Sequence, residues 1–175
     1  MRWGERLSDV AEAAFEHLEA DDATWLAKVA RVLEERVGEG YGCTATMYAP
    51  SPTSIGFETV LGPGLPEGLE ARKVFEATTQ APPDFTRRVY RDLTCDTASG
   101  IDPICERSFQ ARVHDWGIRD AICINARAGE HTGAGFLIPQ PRRRRLRMSE
   151  RRWLDEVTAL LQTAVRKRRS IRPLA

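Results

Sequence analysis

The sequence lacks the patterns that would place it in a membrane or in an oxidising compartment. It contains no run of about 18 apolar residues, so no transmembrane helix is predicted. Residues 1–5 lead directly into an acidic amphipathic stretch and not into the apolar core of a secretory signal. The four cysteines form no C-x-x-C pair, which disfavours a disulfide framework. These absences predict a cytoplasmic protein.

Catalytic motifs are also missing. The sequence has three histidines, but no G-x-S-x-G turn, no phosphate-binding P-loop and no H-E-x-x-H helix. Cys95, Cys105, His114 and Cys123 follow one another at spacings of 10, 9 and 9, which do not match the paired ligands of a zinc ribbon or finger. We therefore predict no enzyme activity, no metal site and no cofactor.

The charge of the chain is distributed unevenly. From residue 142 to residue 172 there are twelve Lys or Arg against three acidic residues, whereas the rest of the chain has 14 basic and 22 acidic residues. Arg142, Arg143, Arg144 and Arg145 are the candidate contacts for nucleic acid, because guanidinium groups pair well with phosphates. No aromatic residue is interleaved with them and no recognition motif accompanies them, so the sequence disfavours direct nucleic-acid binding.

Helical periodicity marks both ends of the chain. The first stripe predicts a helix up to about residue 18, Asp21 or Asp22 is the candidate cap of a second helix, and a long helix follows Ser149. The stripes of the first and last helices could join in a bundle between two copies, which predicts a homodimer, or pack only on the sheet of their own subunit. The residues assigned to this interface are Leu7, Val10, Ala14, Trp153, Val157 and Leu161.

The middle of the chain contains two candidate β-hairpins. Residues 43–48 and 54–61 form the first, residues 120–125 and 133–138 the second, with helices predicted over 67–80 and 104–115 and a loop over 96–103. Hairpins separated by helices favour an α+β fold, in which helices flank an antiparallel sheet and the N- and C-terminal helices pack together. The predicted parts are a helical pair (1–40), a sheet with middle helices (41–141) and a basic linker with the last helix (142–175), all within one domain.

Three segments carry a resemblance to a known family. Residues 116–125, 133–139 and 149–157 resemble the second half of GAF-like sensor domains, and most of all the sensors that precede a LuxR-type helix-turn-helix in bacterial transcription regulators. The opening helices are similar to those of the same group. The resemblance implies a GAF/PAS-like sheet and a helix-turn-helix output domain, or another regulatory protein, as partner. The chain ends where DNA-binding helices begin in such regulators, so we expect an excised sensor or a stand-alone module.

The resemblance also implies a ligand site, since GAF-like domains bind small molecules between the sheet and the middle helices. Aromatic side chains are candidates for its apolar wall, with polar anchors at the start of a strand and within it. The alternative is that these aromatic side chains only fill the hydrophobic core. The assigned residues are Tyr48, Phe57, Phe75, Phe85, Tyr90, Phe109, Trp116 and Phe136, with Arg119, Asp120 and Asn125 as anchors.

Other functions of related domains fit the sequence less well. A covalently bound bilin usually needs a cysteine followed by histidine, and none of the four cysteines has one. Methionine sulfoxide reduction needs a low-pKa thiolate near cations, for which Cys95 and Cys105 are the candidates. Tyr90 with Asp102-Pro103 resembles part of the autoinducer-binding domains of quorum-sensing regulators. The sequence thus favours a non-catalytic sensory and dimerisation domain that binds an unknown small apolar or mixed ligand and signals through its terminal helices.

Overall fold

The computed structural model describes residues 3–50, 55–79, 89–90, 94–101 and 103–171. Phe85 and Asp102, named above as candidates, lie outside these ranges. The helices are α1 (Trp3–Phe15), α2 (Asp22–Val37), α3 (Ala71–Thr79), α4 (Ala98–Ile101), α5 (Pro103–Val113) and α6 (Met148–Ile171). The strands are β1 (Thr44–Pro50), β2 (Ile55–Leu61), β3 (Cys95–Thr97), β4 (Asp120–Gly129) and β5 (Thr132–Gln140). No helix within the described ranges combines the length and the apolar composition needed to cross a membrane.

The strands form one sheet in the order β2-β1-β5-β4-β3, and every neighbouring pair is antiparallel. The two predicted hairpins therefore join edge to edge, through β1 and β5. In this register Gly135 lies opposite Thr46 on one side and opposite Asn125 on the other. The predicted antiparallel sheet with flanking helices is confirmed.

The terminal helices cover one face of the sheet. Side chains of α1, α2 and α6 pack against alternate residues of the three central strands, such as Phe136, Ile124 and Ala45. Burial of this continuous apolar cluster is the main source of stability, at about 25 cal/mol per Å² removed from water. The N- and C-terminal helices pack together here, as predicted.

The residues assigned to a dimer interface lie inside this cluster. Val10, Ala14, Val157 and Leu161 are fully buried and Trp153 is 2% exposed, while Leu7 is partly buried against the same core. The apolar stripes of the first and last helices therefore pack within their own subunit, which is the alternative given above. The homodimer itself stays a prediction, and its contacts would have to come from other, exposed residues.

Several boundaries differ from those predicted: α1 ends at Phe15, α3 begins at Ala71, and α6 begins at Met148, so Ser149 lies within the helix. Residues 95–101, expected largely as a loop, form the short edge strand β3 and the helical turn α4, because Cys95–Thr97 extends the sheet along β4. The second hairpin is longer than predicted and reaches Gln140, which pairs with Asp120.

The cap of α2 is Asp21, whose carboxylate accepts hydrogen bonds from the Thr24 amide (2.8 Å) and hydroxyl (2.7 Å). The backbone hydrogen bond from Thr24 lowers the pKa of Asp21.

Candidate functional site

The candidate site lies on the face of the sheet away from α1, α2 and α6, which we call the distal face. Side chains alternate along a strand, so Tyr48, Cys123 and Asn125 point to the distal face while their neighbours point into the main core. Helices α3 and α5 cover part of this face, and residues 89–90 contact its other part. The ligand site predicted in the sequence analysis, between the sheet and the middle helices, would lie in this layer.

Four aromatic rings gather there. The ring of Tyr48 meets that of Tyr90 edge to face, with centroids 5.0 Å apart. Phe57 lies 6.1 Å from Tyr90 and 5.4 Å from Phe75, again between ring centroids. These tilted and edge-on arrangements are those that aromatic pairs prefer. Tyr48, Phe57, Phe75 and Tyr90, all assigned from sequence, thus form one aromatic cluster.

A polar pair is built into the wall of this cluster. The Tyr48 hydroxyl donates to Oδ1 of Asn125 at 2.5 Å, and Nδ2 of Asn125 donates to the Val89 carbonyl at 2.8 Å. Burial raises the pKa of Tyr48, with Arg127, the Asn125 bond and Arg169 only partly opposing it. The phenol therefore stays neutral and acts as a hydrogen-bond donor, and Asn125 is a polar anchor of the site.

A small cavity of about 50 Å³ opens beside the pair. Its wall includes Phe75, Tyr90, Ile101, Cys123 and Leu137, together with Asn125 and the backbone of Gly135. Sites for drug-sized ligands are usually about 300–1,000 Å³, so the cavity as it stands has room for only a fragment of one. The lining is nearly all apolar, with the Asn125 amide as its polar component.

The remaining assigned residues do not belong to the aromatic cluster. Phe136 borders the cavity, but its ring faces the main core, with its centroid 6.3 Å from that of Trp25. Phe109, a residue of α5, packs in a neighbouring cluster, and the Trp116 indole donates to the Glu67 carbonyl at 3.0 Å. The Arg119 side chain is exposed, so it does not line the cavity. Asp120 is buried in a separate polar network described below.

The glycines of β5 make the close packing of the distal face possible. A Cβ atom at Gly133 would lie 2.5 Å from the Tyr48 hydroxyl oxygen and 2.6 Å from the Ala126 carbonyl oxygen, both impossible approaches. A Cβ atom at Gly135 would make ordinary contacts, 3.4 Å from Thr46 and 3.6 Å from Phe75. Only Gly133 is therefore needed to seat the Tyr48 ring, and the sequence does not distinguish the two glycines.

These contacts predict opposite effects for two matched substitutions. Gly133→Ala is expected to destabilise the protein by about 1–3 kcal/mol, because Tyr48 and a backbone carbonyl must move. Gly135→Ala is expected to be neutral or to stabilise by about 0.5 kcal/mol, since the methyl group fits and the unfolded chain loses freedom. Urea unfolding followed by tryptophan fluorescence measures both. Equal effects of the two changes would contradict the assigned seat of Tyr48.

Cys43, Cys95 and Cys123 are buried thiols, and the side chain of Cys105 is not among those that the structure describes. Burial, together with the hydrogen bond that Cys95 donates to Asp155 at 3.2 Å, raises the pKa of Cys95 to about 12. Burial likewise raises the pKa of Cys43. Such pKa values disfavour the thiolate that redox chemistry needs. In the described part of the chain no group of three His, Cys, Asp or Glu side chains is placed to hold a metal ion.

The four arginines of the predicted cluster, residues 142–145, lie in different environments. Arg144 is half-buried, and its guanidinium donates to the Val37 carbonyl (3.2 Å), to Gln140 Oε1 (2.7 Å) and to Glu150 Oε1 (2.8 Å). Arg142, Arg143 and Arg145 are exposed. Arg144 therefore ties the β5–α6 loop to the core, while its neighbours face solvent.

Two further arginines, at the C-terminal end of α6, bind that end of the helix to the body of the protein. Arg168 is buried and donates to the carbonyls of His17, Leu18 and Ala20 at 2.8–3.0 Å and to Asp22 at 2.6 Å. Arg169 donates to the Tyr48 carbonyl at 3.2 Å and to Glu58 at 3.4 Å. One residue of the aromatic cluster is thus bonded directly to the last helix.

The fold is similar to that of two solved GAF domains. One is described as the phycocyanobilin-bound GAF domain from a cyanobacterial phytochrome; it is 8% identical, 99% of each chain is covered and the TM-score is 0.61. The other, a phycoerythrobilin-bound GAF domain from a cyanobacterial phytochrome, is 11% identical, with 98% of each chain covered and a TM-score of 0.54. At such identities the similarity shows the fold alone, and the fold is GAF-like. No protein-family model and no curated protein matches the sequence.

Proposed function

We propose that this chain is the sensory domain of a bacterial regulatory protein and that it binds a compact, largely apolar molecule on the distal face. The observation that supports this most directly is the aromatic cluster of Tyr48, Phe57, Phe75 and Tyr90. Two of its rings, Phe75 and Tyr90, line an apolar cavity together with Asn125, which is hydrogen-bonded to Tyr48. An apolar wall with few, well-placed polar groups is the usual composition of a small-molecule site.

The proposed ligand is smaller than a bilin. The two similar domains are described as bilin-bound, but here the cavity is about 50 Å³ and the Cys123 thiol beside it is buried. A molecule that enlarges the cavity by displacing an aromatic ring, and that exchanges hydrogen bonds with Asn125, fits the site best. Binding without turnover is the proposed activity, in the cytoplasm.

The contact of Arg169 with the Tyr48 carbonyl supplies a route for output. Tyr48 follows an irregularity in the β1–β2 register between Met47 and Tyr48, where a strand adjusts more easily than in a regular ladder. A ligand that moves Tyr48 would strain or release its bond to Arg169 and so change how the end of α6 is held. We propose that a helix-turn-helix domain, or another regulatory partner, responds to that change. We also propose that the domain forms a homodimer through exposed helix residues.

The ligand site can be tested with a pair of substitutions. Gly135→Val adds methyl groups toward the cavity, whereas Ala159→Leu adds a similar volume on the exposed side of α6. Native mass spectrometry of freshly purified protein is expected to show a small-molecule adduct on the wild type and on Ala159→Leu. The adduct is expected to fall by about tenfold or more on Gly135→Val, since the added groups occupy the ligand volume.

Two results would contradict the proposal. An adduct retained equally by Gly135→Val would place the ligand elsewhere. If the wild type carries no adduct and its melting temperature does not change after incubation with a small-molecule cell extract, the aromatic cluster is only core packing. Thermal unfolding of all three proteins serves as the control for folding.

A further inference from the structure

A second concave region lies near the start of β4, next to Asp120, and we call it the basic cleft. It has a volume of about 590 Å³ and lies between the β3–α4 turn and the β5–α6 loop. Its wall contains the side chains of four arginines and of two hydroxyl residues. These are Arg143, Arg144, Arg145, Arg151, Thr97 and Ser99. Unlike the cavity on the distal face, this volume is within the range of about 300–1,000 Å³ that is usual for small-molecule sites.

The walls of the cleft are held in place by one buried carboxylate. Asp120, 1% exposed, accepts hydrogen bonds from the Ser99 amide (3.1 Å) and hydroxyl (2.7 Å) and from the Arg144 amide (2.9 Å). It therefore joins the turn on one side of the cleft to the loop on the other. Such a network positions the groups around the cleft before any ligand arrives, which lowers the entropy cost of binding.

The arginines of the cleft are not equally neutralised. Arg144 is paired with Glu150, and Arg151 is paired with Asp96, whose carboxylate also lines the cleft. Arg143 is 68% exposed in its pair with Glu106, and an ion pair so open to water is weak. Arg145 makes no ion pair with any described residue. Two guanidinium groups are thus available to a ligand at the mouth of a preformed cleft.

We propose that the basic cleft binds the phosphate group of a small soluble molecule, such as a phosphate monoester or a diphosphate. The planar guanidinium groups of Arg143 and Arg145 match two phosphate oxygens each. The Thr97 hydroxyl, which accepts a hydrogen bond from the Gly100 amide, adds a polar contact on the opposite wall. The cleft is separate from the apolar site on the distal face, so the domain would receive two chemically different ligands.

A small ligand fits these features better than a nucleic-acid strand. A strand needs a basic surface that follows its backbone, with aromatic side chains for the bases. The cleft instead concentrates its cations around a single concavity that also contains the Asp96 carboxylate, and it has no aromatic side chain in its wall.

The test is isothermal titration calorimetry with inorganic pyrophosphate and with AMP at low salt. The double variant Arg143→Gln/Arg145→Gln removes both available cations of the cleft. The matched control Arg142→Gln/Arg147→Gln removes the same charge from the same loop at exposed residues outside the cleft. We expect the first variant to weaken binding by about tenfold or more, because charge-assisted hydrogen bonds are lost. We expect the control to bind within about twofold of the wild type, since Arg142 and Arg147 lie outside the cleft and act on the ligand only through long-range electrostatic attraction, which salt screens.

Three outcomes would overturn the proposal. One is the absence of measurable heat with either probe at millimolar concentration. Another is an equal loss in the two double variants, which would mean that the loop acts only as a diffuse positive patch. The third is tight binding of a short single-stranded DNA, lost equally in both variants with a steep salt dependence, which would make the loop a nucleic-acid surface. Unchanged thermal unfolding of both variants shows that the fold is intact.

Discussion

Arg168→Ala is expected to lower the free energy of unfolding by about 3 kcal/mol. The side chain is 2% exposed and its guanidinium satisfies three backbone carbonyls in the turn after α1 as well as Asp22 at the start of α2. It also lies over the Trp25 ring, 4.9 Å from the ring centroid. Alanine would leave these carbonyls without their donor at the negative end of the α1 dipole.

Thermal unfolding followed by circular dichroism measures this loss. For a chain of this size, about 3 kcal/mol corresponds to a fall in Tm of roughly 6–12 °C. Arg152→Ala is the matched control, since Arg152 is on the same helix but is 84% exposed in its pair with Glu156. Its loss is expected to change stability by less than about 0.5 kcal/mol. A similar effect of the two substitutions would mean that Arg168 contributes no more than an ordinary surface charge.

The role of Arg168 shows how the last helix is held. Its apolar side is fixed by the core, but its end is fixed by Arg168 at the α1–α2 turn and by Arg169 at Tyr48 and Glu58. The first arginine anchors α6 to the other terminal helices, and the second connects it to the strand that carries the aromatic cluster. The Arg169–Tyr48 hydrogen bond is thus a direct contact between α6 and the strand of the aromatic cluster, outside the apolar core.

The fold could be predicted because its signals are local. The 3.6-residue stripes of α1, α2 and α6 and the alternation within the two hairpins each lie within one short stretch of sequence. The strand β3 could not be predicted in the same way. Three residues, Cys95–Thr97, are too few to show a period, and they are extended only because β4 offers them an edge.

The candidate site was predictable in composition but not in detail. The aromatic residues were visible in the sequence, yet the face of the sheet on which each lies depends on the strand register. Phe136 is opposite Ile124, a core residue, whereas Asn125 is opposite Gly135, so only the latter pair belongs to the distal face. That register is set by pairing between strands, which a single sequence does not show.

The different environments of the arginines could not be predicted for a related reason. In the sequence they are a run of equal charges, and the partners that distinguish them are far away. Arg144 bonds to Val37, and Arg168 bonds to residues near Asp22, more than 100 positions earlier in the chain. Charge density could therefore be predicted from the sequence, whereas the division into buried and exposed arginines could not.

Asp120→Asn is the second substitution with a large expected effect, about 3 kcal/mol of lost stability. Both oxygens of the buried carboxylate accept hydrogen bonds, Oδ1 from the Ser99 and Ala121 amides and Oδ2 from the Ser99 hydroxyl and the Arg144 amide. An asparagine offers only one acceptor oxygen, and its amide group would face a donor. The change keeps the shape of the side chain, so a loss would report on hydrogen bonding and charge.

Urea unfolding is the measurement, and Asp115→Asn is the control, because that carboxylate is 91% exposed and its ion pair among the described residues is with its neighbour His114. The control is expected to stay within about 0.5 kcal/mol of the wild type. A loss below about 1 kcal/mol for Asp120→Asn would mean that water or a rotated Ser99 hydroxyl replaces the missing acceptor. A full loss would show that the β3–α4 turn and the β5–α6 loop are joined through this carboxylate. In that case the basic cleft and the loop that leads into α6 share one structural support.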